Sequence, residues 1–217
     1  MKIPKTFLEI GVIFEKVKGI KNFYLGRTFG SDGSIADVFT SQVLLNRIEN
    51  ASELFIESTV QGVLKRPKAS HVLKILLRHG EQAVPAFIVL CSSNSTVLLK
   101  SILNFMLNHS PGIKNNLKTV FADFNDLTIS AINEIMPWVS KKTCWFNFTR
   151  AITQKWKSLN LPKRNENLHV LLRLIYILPT VAVDNYDEAV LHIMNELKKV
   201  ESSNSNFKHF MSYLMDV

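Results

Sequence analysis

The stretch that decides the fold is KTVFADFNDLTISAINEIMP, residues 118–137, where one acid separates an apolar strand from an amphipathic helix. The strand pattern runs from Thr119 to Phe121, and Asp123 stands at its end. A carboxylate at this position has two interpretations. It either assists the start of the next helix or binds a metal ion at the tip of a core strand. We expect Asp126, which follows closely, to be the helix cap.

Three β-rich runs precede this stretch, and their short connections suit antiparallel pairing. They are LFIESTVQGVL (54–64), HVLKILLRH (71–79) and PAFIVLCSS (85–93). Helical spacing of the apolar residues predicts a helix over 95–110, with Ser95 as its N-cap. A shorter helix is predicted within residues 36–51, because apolar residues recur there at 39, 43, 44 and 48.

Downstream of the opening stretch, the pattern predicts a strand over 143–148 and a helix over 149–158. The resulting order βββαβαβα predicts an α/β fold with a mixed sheet, antiparallel first and parallel later, and helices on both faces. We expect a partly helical N-terminal segment over 1–50, a core over 51–160, and a truncated helical extension over 161–217.

The composition fits a packed globular protein, since 47% of the 217 residues are hydrophobic and 20% are charged. Lys and Arg outnumber Asp and Glu by 26 to 18, which gives a net charge of +8. This excess of positive charge tolerates or favours a polyanionic partner such as nucleic acid.

The two cysteines, Cys91 and Cys144, lack the Cys/His spacing of a structural zinc site, and we expect both to be reduced thiols. The N-terminus has no signal-peptide core. Residues 168–183 are the most apolar segment, but Arg173 and Pro179 interrupt it, so it should not span a bilayer. We therefore expect a nuclear or cytoplasmic protein that is not secreted and has no membrane partner.

Four blocks, taken together and in order, carry a resemblance to a known family. They read FIESTV (55–60), AVPAFIVLCS (83–92), VFADFNDL (120–127) and CWFNFTRAITQKW (144–156). The sequence resembles the transposase domain of Mutator-like elements, which belongs to the RNase H-like superfamily. The resemblance covers roughly residues 28–180 and implies an RNase H-like sheet.

The first block departs most from the family pattern, which is Asp-Gly-Thr-Phe. Glu57 stands where the family has its first catalytic Asp, and Ser58 and Val60 replace the Gly and the Phe. Only Thr59 agrees. Glu57 keeps the negative charge but adds a methylene, which moves the carboxylate and can misplace an ion that demands near-ideal octahedral geometry.

The later blocks agree better but also carry replacements. Asp123 matches the family's second acid, while Asn125 stands where a Glu is usual. Cys144 matches, whereas Asn147 replaces a His and Arg150 replaces a Gln. Because Asn cannot exchange a proton as His does, these changes imply lost or reduced cleavage.

By resemblance, Glu57 and Asp123 occupy catalytic, metal-binding positions for Mg²⁺ or Mn²⁺ in DNA strand cleavage and transfer. Two ions held there would activate the attacking oxygen and stabilise the leaving oxygen. The third acid of the family cannot be placed in this sequence. A metal cofactor is therefore expected only if the site is active.

DNA is the partner that the resemblance and the charge imply, and a homo-oligomer is left open. Short basic clusters could contact phosphates, although solvated turns are their commoner role. The candidate residues are Lys65, Arg66, Lys68, Lys141, Lys142, Lys155 and Lys157. The aromatic residues Trp145, Phe146, Phe148 and Trp156 could stack on bases, but we expect half of them to pack in the core.

Three hypotheses on function follow from the sequence. The chain is a transposase-derived domain that has lost most cleavage but keeps DNA affinity, an active DNA-cleaving enzyme with a Glu-variant site, or a non-enzymatic protein-interaction domain that keeps only the fold.

Overall fold

The computed structural model of the chain describes Glu9 and residues 23–60, 69–123, 126–161, 166–200 and 206–216. The chain forms two compact units, Met1–Cys144 and Trp145–Val217. This division differs from the expected boundaries after residues 50 and 160. Strands within 24–39 belong to the sheet of the first unit, and the helix that starts at Trp145 belongs to the core of the second.

Within the described residues, the first unit contains one seven-stranded sheet in the order β1-β2-β5-β4-β3-β6-β7. The strands are β1 Tyr24–Phe29, β2 Ile35–Phe39, β3 Glu53–Thr59, β4 His71–His79, β5 Gln82–Cys91, β6 Thr119–Ala122 and β7 Ser140–Thr143. The pairs β1/β2, β2/β5, β5/β4 and β4/β3 are antiparallel. The pairs β3/β6 and β6/β7 are parallel. The expectation of an α/β fold with a mixed sheet is confirmed.

Helices of the first unit pack their apolar sides in one core cluster with the buried alternate residues of the strands, on one face of the sheet. They are α1 Gln42–Ile48, α2 Thr96–His109, α3 Ile113–Asn116 and α4 Asp126–Ile135. The described residues of this unit therefore do not show the expected helices on both faces. Along β4, buried residues such as Leu73 and Ile75 alternate with half-buried ones such as Lys74. This period of two is what a strand with one face in the core requires. The expected N-cap of α2 is confirmed, because the Ser95 hydroxyl accepts the Leu98 N–H at 3.2 Å.

The second unit is helical in its described residues. Its elements are α5 Trp145–Ser158, α6 Glu166–Ile177, α7 Tyr186–Val200 and α8 Asn206–Asp216, with short 3-10 turns at Leu178–Thr180 and Val183–Asn185. Trp156 is buried in the unit's core, and its ring centroid is 5.0 Å from that of Phe210 in an edge-to-face contact. Such aromatic pairs stabilise a core beyond the area that they bury.

The helix predicted within residues 36–51 is wrong in its first half. Residues 35–39 form β2, and α1 begins only after Ser41, whose hydroxyl accepts the Leu44 N–H at 3.4 Å. The apolar residues Phe39 and Val43 fall at helical spacing by coincidence, because one ends the strand and the other belongs to the next element.

The strand predicted over 143–148 is also wrong. The strand is β7, which begins three residues earlier and ends at Thr143, and the aromatic residues from Trp145 onward lie in α5. Aromatic residues favour strands on average, but here Phe148, Ile152 and Trp156 recur every four residues and form the buried face of a helix. β7 has the polar sequence SKKT, as is common for a short strand at the edge of a sheet.

Candidate functional site

The carboxyl ends of β3 and β6 bring the two acids predicted from the sequence to one edge of the sheet. The strands are parallel, and Ile56 pairs with Ala122 at the end of their ladder. One step earlier, the rings of Phe55 and Phe121 stack on the same face, with centroids 4.8 Å apart and an interplanar angle of 13°. Because side chains alternate along a strand, the next residues after the ladder, Glu57 and Asp123, follow on the face of the two Phe rings.

Asp123 acts in the structure as an acceptor for the backbone of β3. Its Oδ2 accepts the Ser58 N–H at 2.8 Å, and the residue is half-buried. Hydrogen bonds to a charged acceptor are stronger than neutral ones, so this contact fixes the carboxylate beside β3. Asp123 is thus tied to the neighbouring strand, and Asp126 is the first residue of α4, where an acid interacts favourably with the helix dipole.

Glu57 lies opposite Lys74 in the antiparallel β3/β4 pair, and its side chain is exposed. Directly opposed residues of such a pair have Cβ atoms about 4.5–5.5 Å apart, within reach of long side chains. In the part of the chain that the structure describes, Glu57 accepts no hydrogen bond and forms no ion pair. Lys74 therefore supplies the positive charge nearest in register to Glu57, and an ammonium there opposes the binding of a divalent cation.

Glu57 and Asp123 are the candidate ligands at this edge for the divalent ion that the resemblance implies. Over the described ranges, no three His, Cys, Asp or Glu side chains are grouped so that they could hold a metal ion. Glu57 and Asp123 are two carboxylates, and one oxygen of Asp123 already accepts the Ser58 N–H. This donor set falls short of the clamp on two ions that two-metal phosphoryl transfer uses.

Two of the basic residues predicted to contact nucleic acid lie on the edge strand β7, not in a loop as expected. The Lys141 Nζ donates to Asn133 Oδ1 at 2.7 Å. The Lys142 Nζ lies 5.8 Å from the ring centroid of Phe121, a distance that allows a cation–π contact. Lys142 thereby lies on the face of the sheet that carries Phe121 and the acid pair.

The other predicted basic residues do not extend this cluster. Lys65, Arg66 and Lys68 lie outside the described residues. Lys155 and Lys157 lie on α5 of the second unit. The Lys155 Nζ is 4.9 Å from the ring centroid of Tyr213.

Half of the four aromatic residues of α5 are exposed and half are buried, as expected. The period of a helix, and not that of a strand, decides which ones are buried. Trp145 and Phe146 are 52% and 65% exposed, whereas Phe148 and Trp156 are buried. The Trp145 indole N–H donates to the carbonyl of Tyr176 at 2.5 Å, so its ring is held in place. Cys144, just before α5, has a half-buried free thiol. Its backbone N–H donates to the Ala122 carbonyl at 3.1 Å.

One acid that the sequence reasoning missed is buried in the middle of β2. Asp37 accepts two hydrogen bonds from the Arg27 guanidinium, Nε to Oδ1 at 2.9 Å and Nη2 to Oδ2 at 3.0 Å. The Tyr24 hydroxyl donates to Oδ1 at 3.0 Å. The hydrogen bond to Asp37 raises the pKa of Arg27. An acid within the apolar strand IADVF was the available signal, because a charge there requires a partner.

Comparison with known proteins gave no assignment: no family model matches the sequence, and none of the curated proteins does. Among the helices in the described ranges, none is both long and apolar enough to cross a bilayer.

Proposed function

We propose that the first unit is a transposase-derived, RNase H-like domain that binds DNA and whose acid pair has lost strand cleavage. The observation that supports this proposal most is the meeting of Glu57 and Asp123 at the carboxyl ends of two adjacent parallel strands. The resemblance to the Mutator-like transposases selects these two acids from the sequence, and the sheet brings the same two residues to one edge.

The order of strands gives independent support. Strands β3, β4 and β5 form consecutive antiparallel pairs, and β6 and β7 then add in parallel beside β3. This is the sequence of three antiparallel strands followed by parallel strands that the RNase H-like resemblance implies. The strands β1 and β2 extend the sheet on the side away from the acids.

The surroundings of the two acids support the proposed loss of cleavage. Glu57 replaces an Asp and lies opposite Lys74, and Asp123 accepts a backbone N–H of β3. Phosphoryl transfer depends on the positions of ions and reacting atoms to within fractions of an ångström. A longer side chain, a neighbouring ammonium and a carboxylate already engaged in a hydrogen bond all work against that precision.

DNA affinity is supported by the net charge of +8 and by the position of Lys142. The carboxyl ends of β3 and β6, where Glu57 and Asp123 lie, are called the acid edge. Lys142 pairs with Phe121 in the β6/β7 ladder, and Phe121 lies two residues before Asp123. A DNA backbone that follows this face of the sheet would meet the ammonium of Lys142, whereas Lys141 donates to Asn133.

The proposal is tested by fluorescence anisotropy of a labelled DNA duplex at several salt concentrations in EDTA. We expect affinity to fall with salt, and replacement of one phosphate-contacting lysine to lower the slope of log K against log salt by about 0.9. Lys142→Gln should produce this change. Lys118→Gln is the matched control, because Lys118 is an exposed lysine at the opposite end of β6.

Two results would overturn the proposal. Absence of salt-dependent affinity would favour a protein-interaction domain that keeps only the fold. Equal effects of Lys142→Gln and Lys118→Gln would mean that DNA does not bind along the acid edge.

A further inference from the structure

A basic cleft lies between α1 and the carboxyl end of β4, in a part of the first unit that the proposed function does not use. Its volume is about 510 Å³, which is within the range of small-molecule sites. The lining residues are Val43, Asn46, Arg47, Asn50, Ala51, Leu77, Arg78 and His79.

Two of the cationic or titratable side chains in the cleft have no partner in the described residues. Arg47 is in the last turn of α1 and is exposed, and its guanidinium makes no hydrogen bond or ion pair there. The imidazole of His79, at the end of β4, likewise has none within the same ranges. These groups can therefore bind a ligand without first breaking an internal contact.

Arg78 is held in position by its neighbours. Its Nη1 donates to Glu53 Oε2 at 2.8 Å, and its Nε donates to the Gly80 carbonyl at 3.1 Å. Neither contact uses Nη2. Glu53 offsets part of the charge of Arg78, so Arg47 supplies the uncompensated charge, and Arg78 supplies a donor in a fixed direction.

The cleft is distant from the acid pair along the sheet. Glu57 pairs with Lys74, whereas the cleft begins four residues further along β4, at Arg78. Four residues of a strand span about 13 Å. A ligand in the cleft therefore contacts neither Glu57 nor Asp123, and binding there is independent of any chemistry at the acid edge.

We propose that this cleft binds a small organic phosphate. Guanidinium groups present paired N–H donors that match phosphate oxygens, and Arg47 with Arg78 places two such groups in one cleft. The side-chain amides of Asn46 and Asn50 add polar groups to the lining. Val43, which is 64% exposed, gives an apolar surface for the organic part of the ligand. The limited volume favours a small molecule over a nucleic-acid strand.

The test is a titration of the ¹⁵N-labelled chain with phenyl phosphate in EDTA, followed by amide chemical shifts. We expect saturable shifts confined to residues that line the cleft, and weaker binding of inorganic phosphate, which lacks the apolar part. Arg47→Gln should weaken binding of phenyl phosphate about tenfold, the loss expected for one charge-assisted hydrogen bond. His79→Gln is a second variant, expected to weaken binding by a smaller factor.

Arg150→Gln is the matched control, since Arg150 is an exposed arginine of α5 in the other unit. It should leave the affinity unchanged. The proposal is overturned by absence of saturable shifts at the cleft, by equal affinity in the Arg47→Gln and wild-type chains, or by a short DNA duplex that displaces phenyl phosphate from these residues. The EDTA and the distance from Asp123 keep the result separate from the outcome for DNA at the acid edge.

Discussion

Asp37 and Asp123 are carboxylates on, or just beyond, strands of the same sheet, and their surroundings are opposite. Asp37 is fully buried within β2 and receives three hydrogen bonds from the side chains of Arg27 and Tyr24. Asp123 is half-buried where β6 ends, and it accepts a backbone N–H from the neighbouring strand. The contrast shows that the two aspartates differ in burial and in hydrogen-bond partners, although the residue type is the same. These two properties distinguish an acid that stabilises the fold from one that lies at the candidate site.

The largest effect is expected when the partner of the buried acid is removed. Arg27→Met would leave the Asp37 carboxylate buried with only the Tyr24 hydroxyl among these donors. Breaking one side of a buried ion pair costs about 3–5 kcal/mol. Urea unfolding of the variant should show a loss of this size in the free energy of unfolding.

The control for this prediction is the pair Arg78–Glu53, which has a similar N···O distance of 2.8 Å but lies at the surface. The Arg78 side chain is 53% exposed, against 15% for Arg27. Arg78→Met should therefore change stability far less than Arg27→Met, because solvent replaces the lost contact. Equal losses in the two variants would contradict the distinction between buried and exposed pairs.

A smaller effect is expected at the acid edge. Asp123→Ala removes the acceptor for the Ser58 N–H and should lower the free energy of unfolding by about 1.5–3 kcal/mol, the range for a hydrogen bond to a charged group. Asp123→Asn keeps an acceptor oxygen and should recover part of that loss. If Asp123→Ala is as stable as the wild type, the hydrogen bond to β3 does not fix the carboxylate.

The sheet's central strands could be predicted from the sequence because their residues alternate over long apolar runs. β4, for example, reads HVLKILLRH, and its alternate residues from His71 to Leu77 are buried. The edge strands could not. β1 contains Gly26 and Arg27, and β7 is SKKT, so neither has the apolar pattern of a core strand.

The candidate site, like the sheet, could be predicted from the sequence only in part. The sequence pointed to Asp123, because a strand followed by an acid and a helix is a local pattern, and the resemblance pointed to Glu57. Lys74 and the Ser58 N–H were not foreseen. They reach the acids only through the register of β3 with β4 and β6, which depends on pairing between distant residues.

The smallest effect at neutral pH is expected at His71, which is buried like Asp37 but has no side-chain hydrogen-bond partner among the described residues. Neither of its ring nitrogens has a hydrogen-bond partner in the described structure, and burial lowers the pKa of the imidazole from 6.5. Its neighbour across the β4/β5 pair, Cys91, stays a neutral thiol because burial raises its pKa to about 12. The folded chain therefore favours neutral His71, while the unfolded chain accepts a proton more readily.

Stability should decrease as the pH falls below the ordinary His pKa of 6.5, since the unfolded state then binds more protons than the folded state. Urea unfolding between neutral and mildly acidic pH measures this change. In His71→Phe the contribution of this residue should be absent, and the pH dependence should become shallower. Identical pH profiles of the variant and the wild type would show that His71 does not titrate differently in the two states.

The most direct test of the proposed function measures binding and cleavage of DNA in one reaction. A labelled duplex is incubated with the chain in Mn²⁺ or Mg²⁺, and bound DNA and broken strands are quantified from the same sample, with Asp123→Asn in parallel. We predict salt-sensitive binding by both proteins and no strand breaks from either. Nicking that requires the metal ion and disappears in Asp123→Asn would contradict the account, because it would mean that Glu57 and Asp123 still support cleavage.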